Sequence, residues 1–172
     1  MEKAPVTLAD VYAEIKVLGT VTNKQSQAAA LSSKMAKDIK SILASAKKSK
    51  SVRIFHELDE NYYSVTSDTF IGRVYKDFGV INVADAAAGA DSYGYPQLSS
   101  EYLLTSNPQA IFLSDAQDGV TAAAVAQRAG WSQISAVKNR KVFVLSADIP
   151  SRWGPRLVNF YREIAKALAK IS

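Results

Sequence analysis

The stretch VRIFHELDENYYSVTSDTFIGRVYKDFGVINVA, Val52–Ala84, decides the fold. Val52–Leu58, carrying the β-formers Val52, Ile54 and Phe55, reads as a strand. Asn61–Thr66 reads as a loop, with Ser67 or Asp68 capping a helix that carries Phe70, Ile71, Val74, Tyr75 and Phe78 at helical spacing. Gly79 closes that helix, and Val80–Ala84 reads as a second strand. A strand, a crossover helix and another strand within about 33 residues form a parallel unit.

The rest of the chain extends this alternation. Asp85–Gly94 is small and flexible in composition. Ser99 caps a short helix through Leu104, Asn107-Pro108 breaks it, and Ala110–Ser114 is the next strand. Val120–Ala129 reads as an alanine-rich helix stopped by Gly130, and Trp131–Asn139 as a connecting segment. Lys141–Ser146 is the last strand. Asp148–Gly154 is a loop, Pro155 suits a first helical turn, and Leu157, Phe160, Ile164, Ala165 and Leu168 form the buried face of a final helix. On the N-terminal side, Thr7 and Asp10 make a capping box for a helix with Leu8, Val11, Ile15 and Leu18 on one face and Gly19 at its end. Asn23 caps a longer helix striped by Ala28, Leu31, Met35, Ile39, Ile42 and Ala46. The fold class expected is α/β: a Rossmann-like, mainly parallel sheet of about four strands with helices on both faces, preceded by a long helical segment.

Bulk properties exclude more than they assign. A chain of 172 residues is large enough for its own core. With no cysteine there is no thiol nucleophile, iron–sulfur cluster or disulfide. The net charge of +5 comes largely from lysines between Lys24 and Lys50; they lack interleaved aromatics or a nucleic-acid motif, and read as a solvated helix face rather than a nucleic-acid partner surface. No nucleotide loop and no nucleophile elbow are present. The single histidine, His56, sits mid-strand and reads as a packed or hydrogen-bonded strand residue, the alternative being an approach to the cleft as a ligand. Glu57, Asp59 and Glu60 cluster near a strand end and read as a solvated loop. No nucleophile–base pair supports catalysis.

Candidate binding residues gather where the carboxyl edge of the sheet should lie, the edge at which open α/β sheets bind ligands. Tyr95 precedes Pro96 and is thereby extended; its ring either projects onto a flat ligand or packs on the following helix. Asp148, Arg152 and Trp153 occupy the loop after the last strand. Arg152 offers a planar fork for anions or flat groups, or an ion pair to Asp148 with Trp153 tucked beneath. Glu101, in the first turn of the helix capped by Ser99, is favoured there by the helix dipole.

LADVYAEIKVLGTVTNKQSQAAALSSKM (8–35), SDTFIGRVYKDFGVINVAD (67–85), YPQLSSEYLLTSNPQAIFL (95–113) and AVKNRKVFVL followed by SRWGPRL (136–157) together resemble the C-terminal lobe of the substrate-binding proteins of ABC importers for vitamin B12, haem and ferric siderophores. The four matches occur in the family's order and spacing. The resemblance implies two α/β lobes joined by a backbone helix, with residues 1–50 as the inter-lobe helix region and 51–172 as the C-terminal lobe. It implies that Tyr95, Asp148, Arg152 and Trp153 face the ligand, that Tyr62, Tyr63 and Ser67 lie in a loop adding a contact, and that Glu101 docks onto arginines of the membrane permease. The expected ligand is an iron chelate, haem or cobalamin, with no cofactor or metal held by the protein itself and no catalysis. The expected location is extracytoplasmic. The N-terminal lobe, the signal sequence and the lipid-attachment cysteine are expected outside this sequence, so that the piece alone folds but binds ligand poorly. The alternative is a cytosolic α/β enzyme, or a receiver-like signalling domain using Glu57 and Asp59.

Overall fold

The computed structural model describes residues 4–46, 51–116, 119–146 and 154–171. Two helices lead, α1 (Leu8–Val21) and α2 (Gln25–Ser45). Then follow β1 (Arg53–Glu57), α3 (Phe70–Asp77), β2 (Ile81–Asn82), α4 (Ser100–Ser106), β3 (Ala110–Leu113), α5 (Ala122–Ala126), α6 (Ser135–Lys138), β4 (Val142–Val144) and α7 (Leu157–Leu168). The four strands form one sheet in the order β2-β1-β3-β4, and every pairing is parallel. The expected α/β architecture is the one observed.

Strand periodicity divides the core in two. Ile54, Ala110 and Phe112 point to one face, where α1, α2, α3 and α7 cover them through Val11, Met35, Tyr75, Phe160 and Ile164. Phe55, Ile111 and Leu113 point to the other, beneath Leu103, Val125, Trp131 and Ile134. Because successive strand residues alternate faces, β3 is apolar throughout and β1 is buried from Ile54 to Glu57, and this burial on both sides is what a parallel sheet requires.

Local signals explain several boundaries. The Thr7–Asp10 capping box forms as read: Thr7 Oγ1 accepts from Asp10 N–H at 3.2 Å, and Asp10 accepts from Thr7 N–H at 2.8 Å. Gly79, at φ +74, follows the end of α3, and Gly130, at φ +79, precedes the helical turn at Trp131. Ser99 caps α4 through Tyr102 N–H at 3.1 Å.

Other boundaries differ from the sequence reading, each for a non-local reason. Gly19 does not end α1, which runs on to Val21. It is buried against α2, and a Cβ there would lie 2.4 Å from the Ala28 Cβ; the glycine allows two helices to touch. Leu18 accordingly points outward, exposed with Val17 and Val21. Asn23 is not a cap; it takes a left-handed φ of +56 in the turn between the helices, and Lys24 is the N-cap. The stretch 8–35 forms two helices, as the periodicity reads, packed as a hairpin where the resemblance implied one backbone helix. The cap of α3 is Thr69, whose hydroxyl accepts from Gly72 N–H at 3.1 Å, not Ser67 or Asp68. β2 stops at Asn82 because its side chain accepts from Ala84 N–H and starts a 3-10 turn over Val83–Ala86. The helix expected over 120–129 contracts to Ala122–Ala126, and Pro155 precedes α7 instead of opening it.

Candidate functional site

The carboxyl ends of the strands all open on one edge, where the loops of β1 and β2 are joined by backbone hydrogen bonds. Ser64 N–H donates to Pro96 O at 2.9 Å, Thr66 N–H to Gly94 O at 2.8 Å, and Leu98 N–H to Tyr62 O at 3.1 Å. Tyr63 and Gln97 form an antiparallel bridge in the middle of this ribbon. Gly94 takes φ +88, and a Cβ there would meet Thr69 Cγ2 at 2.7 Å. Only glycine fits both constraints. The ribbon thus holds the turn 92–95 against the N-terminal end of α3.

That turn borders a groove of about 830 Å³ lined by residues 66–70 and 92–95 together with Asp85, Ala88, Gly89, Ala4–Val6 and Lys76. Asp85 ties two of its walls together: it accepts from both the N–H and the hydroxyl of Ser67, each at 2.7 Å. Of the two placements open to Tyr95, the structure favours the outward one; Tyr95 is 50% exposed and lines the groove. Tyr93 lines it too, at 88% exposure and with a left-handed φ of +49. Two exposed rings within three residues on a hydrogen-bonded turn are an unusual surface for a protein to leave to water. Tyr93 was not singled out by sequence reading. Its only sequence signal is a tyrosine immediately before the turn glycine.

The remaining candidates separate. Ser67 lines the groove through its contact with Asp85, whereas Tyr63 sits on the ribbon at 39% exposure and outside the groove lining. Tyr62 turns away at φ +66 and packs on Trp131, ring centroids 5.4 Å apart. Glu101 is exposed in the first turn of α4. Its carboxyl is held below the usual range by its own backbone N–H and then by the Ser99 hydroxyl. Asp148, Arg152 and Trp153 lie outside the described residues.

Glu57 corrects the reading of a solvated acidic loop. It is fully buried at the end of β1, in a bidentate pair with Arg128, both N–H···O contacts at 2.6 Å. Arg128 is flanked by Trp131, 4.6 Å to its ring centre, and Tyr62 at 5.2 Å. Burial pushes the Glu57 carboxyl up, the Arg128 hydrogen bonds oppose it, and neighbouring Asp115 adds to the upward push. Trp131 Nε1–H then donates to Ser100 Oγ at 2.9 Å. A chain of contacts therefore runs from the end of β1 to the first turn of α4, where Glu101 stands. Seventy-one residues separate Glu57 from Arg128, so no local pattern announces the pair.

His56 is buried as expected, its Nδ1 2.8 Å from the Tyr75 hydroxyl. Burial drives its pKa from 6.5 to about 3; it is a neutral core residue. Among the described residues no three His, Cys, Asp or Glu are grouped to hold a metal ion, and no helix is long and apolar enough to cross a membrane.

The sequence profile of the family described as Periplasmic binding protein matches residues 1–149. The chain belongs to this family. A family relative, the uncharacterized ABC transporter substrate-binding lipoprotein YvrC of Bacillus subtilis strain 168, is 34% identical over 167 residues, which is 94% of this chain and 51% of that protein. The fold is similar to the vitamin B12 binding protein BtuF of Vibrio cholerae, with TM-score 0.78 and 24% identity over 99% of this chain and 65% of that one. It is also similar to a possible iron-binding periplasmic solute-binding protein of Staphylococcus epidermidis, with TM-score 0.80 and 23% identity, covering 96% and 64% of the respective chains. A periplasmic heme-binding protein, RhuT of Roseiflexus sp. RS-1, aligns at TM-score 0.81 and 13% identity over 96% of this chain and 65% of that one. The chain thus spans about half the length of its curated relative and about two thirds of these solved chains.

Proposed function

We propose that this chain forms part of the solute-binding component of an ABC importer, and that it works by capture rather than catalysis. The solute is an iron–siderophore, haem or cobalamin held at the carboxyl edge of the sheet, outside the cytoplasmic membrane. The observation that carries this reading is the groove at that edge, bordered by the exposed rings of Tyr93 and Tyr95 on a turn that backbone hydrogen bonds hold in place. A ligand face laid on these rings removes apolar surface from water on both partners. Family membership supports the importer role, and the lipoprotein relative supports the extracytoplasmic location. In this reading residues 51–172 are the lobe, residues 1–50 connect it to a second lobe that closes the cleft, and Asp148, Arg152 and Trp153 supply further ligand contacts.

Glu101 is the contact to the permease. It is exposed, is not among the residues lining the groove, and is backed by the Trp131–Ser100 bond. A single exposed ion pair contributes only about 0–1 kcal/mol, so docking needs several such contacts, and loss of one weakens productive engagement without touching capture. The test uses the full-length protein with its transporter: Glu101→Ala lowers uptake of the chelate while its dissociation constant is unchanged. Equal loss of uptake and of affinity contradicts the docking role. Failure of the full-length protein to bind any ferric chelate, hemin or cyanocobalamin contradicts the capture role.

A further inference from the structure

Within the proposed capture role, on which this inference rests, the charge of the groove restricts the solute. Two carboxylates, Asp68 and Asp85, line the groove with Tyr93 and Tyr95. Lys76 is the only described basic side chain of the lining, and it lies six residues beyond Phe70, the first residue of α3, hence about 9 Å along the helix axis. Asp85 accepts two hydrogen bonds from Ser67; these fix its position, and no described cation forms an ion pair with it. Its field also contributes to raising the Tyr102 hydroxyl, after burial. The electron-rich faces of Tyr93 and Tyr95 add attraction for positive groups and none for anions.

We propose that this groove selects solutes that are neutral or positively charged where they meet Tyr93 and Tyr95, and rejects polyanionic chelates. A ferric tris-catecholate, with its three negative charges, would face the like charges of Asp68 and Asp85, whereas a hydroxamate chelate with a free ammonium group would meet both carboxylates favourably. Asp68 and Asp85 are therefore specificity-determining residues and Tyr93 a contact residue.

The test titrates the full-length protein, by quenching of intrinsic fluorescence, with ferrioxamine B (cationic), ferrichrome (neutral), ferric enterobactin (trianionic), hemin and cyanocobalamin at physiological ionic strength. The expected result is that ferrioxamine B or ferrichrome binds more tightly than ferric enterobactin by about tenfold or more, that Asp68→Asn with Asp85→Asn brings this ratio to within about threefold, and that Tyr93→Ala weakens the preferred chelate. Tighter binding of the trianion, or a ratio unmoved by the paired substitution in protein with native circular dichroism, overturns the charge selection and leaves the capture role standing. Binding of none of the five probes overturns the capture role and this inference with it.

Discussion

Acid should unfold this protein through His56. The ring is fully buried, its Nδ1 meets only the Tyr75 hydroxyl, and its Nε2 has no hydrogen-bond partner among the described residues. Burial lowers its pKa from 6.5 to about 3. A depressed folded-state value means that the unfolded chain binds the proton first. The stabilising contribution is thus complete above about pH 6.5 and is lost as the pH falls toward 3. Integrating the two titrations gives a loss of about 2 kcal/mol between pH 7 and pH 5, and about 3 kcal/mol by pH 4. Carboxylates with lowered values, Asp10 and Asp38 among them, lose stability over lower pH as well, so the measurement needs a reference. His56→Phe supplies it: the variant keeps ring volume, removes the titration, and changes stability by a pH-independent amount through the lost Tyr75 contact. Urea unfolding of both proteins from pH 4 to pH 8 should give a difference that is flat above pH 7 and shifts by about 2 kcal/mol in favour of the variant by pH 5. Parallel pH profiles for the two proteins would refute the reasoning, because they would require a histidine that protonates equally well folded and unfolded.

Three further outcomes follow from the packing. Arg128→Ala leaves Glu57 buried without its guanidinium and should cost about 3–5 kcal/mol in urea unfolding, while replacing both partners with apolar residues of similar volume should cost much less. Gly19→Ala places a Cβ 2.4 Å from that of Ala28, so the α1–α2 hairpin must open, lowering stability by about 1–3 kcal/mol in thermal or urea melts. Thr7→Ala removes one half of the capping box on α1 and should lower stability by about 1 kcal/mol, with faster amide exchange confined to the first turn of that helix.

What is legible in the sequence is the chemistry that acts over a few residues. Thr7 with Asp10, Ser99, Gly79 and the Asn107-Pro108 break each fix a backbone conformation locally and mark the helix ends read from them, whereas Gly130 opens the turn at Trp131 instead of closing the helix before it. The parallel sheet is legible because Val52–Leu58, Val80–Ala84, Ala110–Ser114 and Lys141–Ser146 alternate with helical segments, and such crossovers join parallel strands. What was hidden depends on partners far along the chain. Gly19 looked like a helix stop because its reason, Ala28, lies across a helical hairpin. Glu57 looked solvated because Arg128 arrives only when α5 packs over the sheet. Ser67 and Asp68 outranked Thr69 as caps because nothing local reveals that Ser67 is taken by Asp85. Tyr95 was found with two possible placements, and the choice between them is made by the Thr66–Gly94 and Ser64–Pro96 bonds, which hold its turn outward. Tyr93 escaped notice because an exposed tyrosine before a glycine is ordinary until a groove is seen beside it.

A crystal structure of the full-length protein with its bound chelate tests the central claim most directly. The account predicts ligand density at the carboxyl edge of the β2-β1-β3-β4 sheet, in contact with the rings of Tyr93 and Tyr95 and within reach of Asp68 or Asp85. Ligand bound elsewhere, with both tyrosines still facing water, would contradict it.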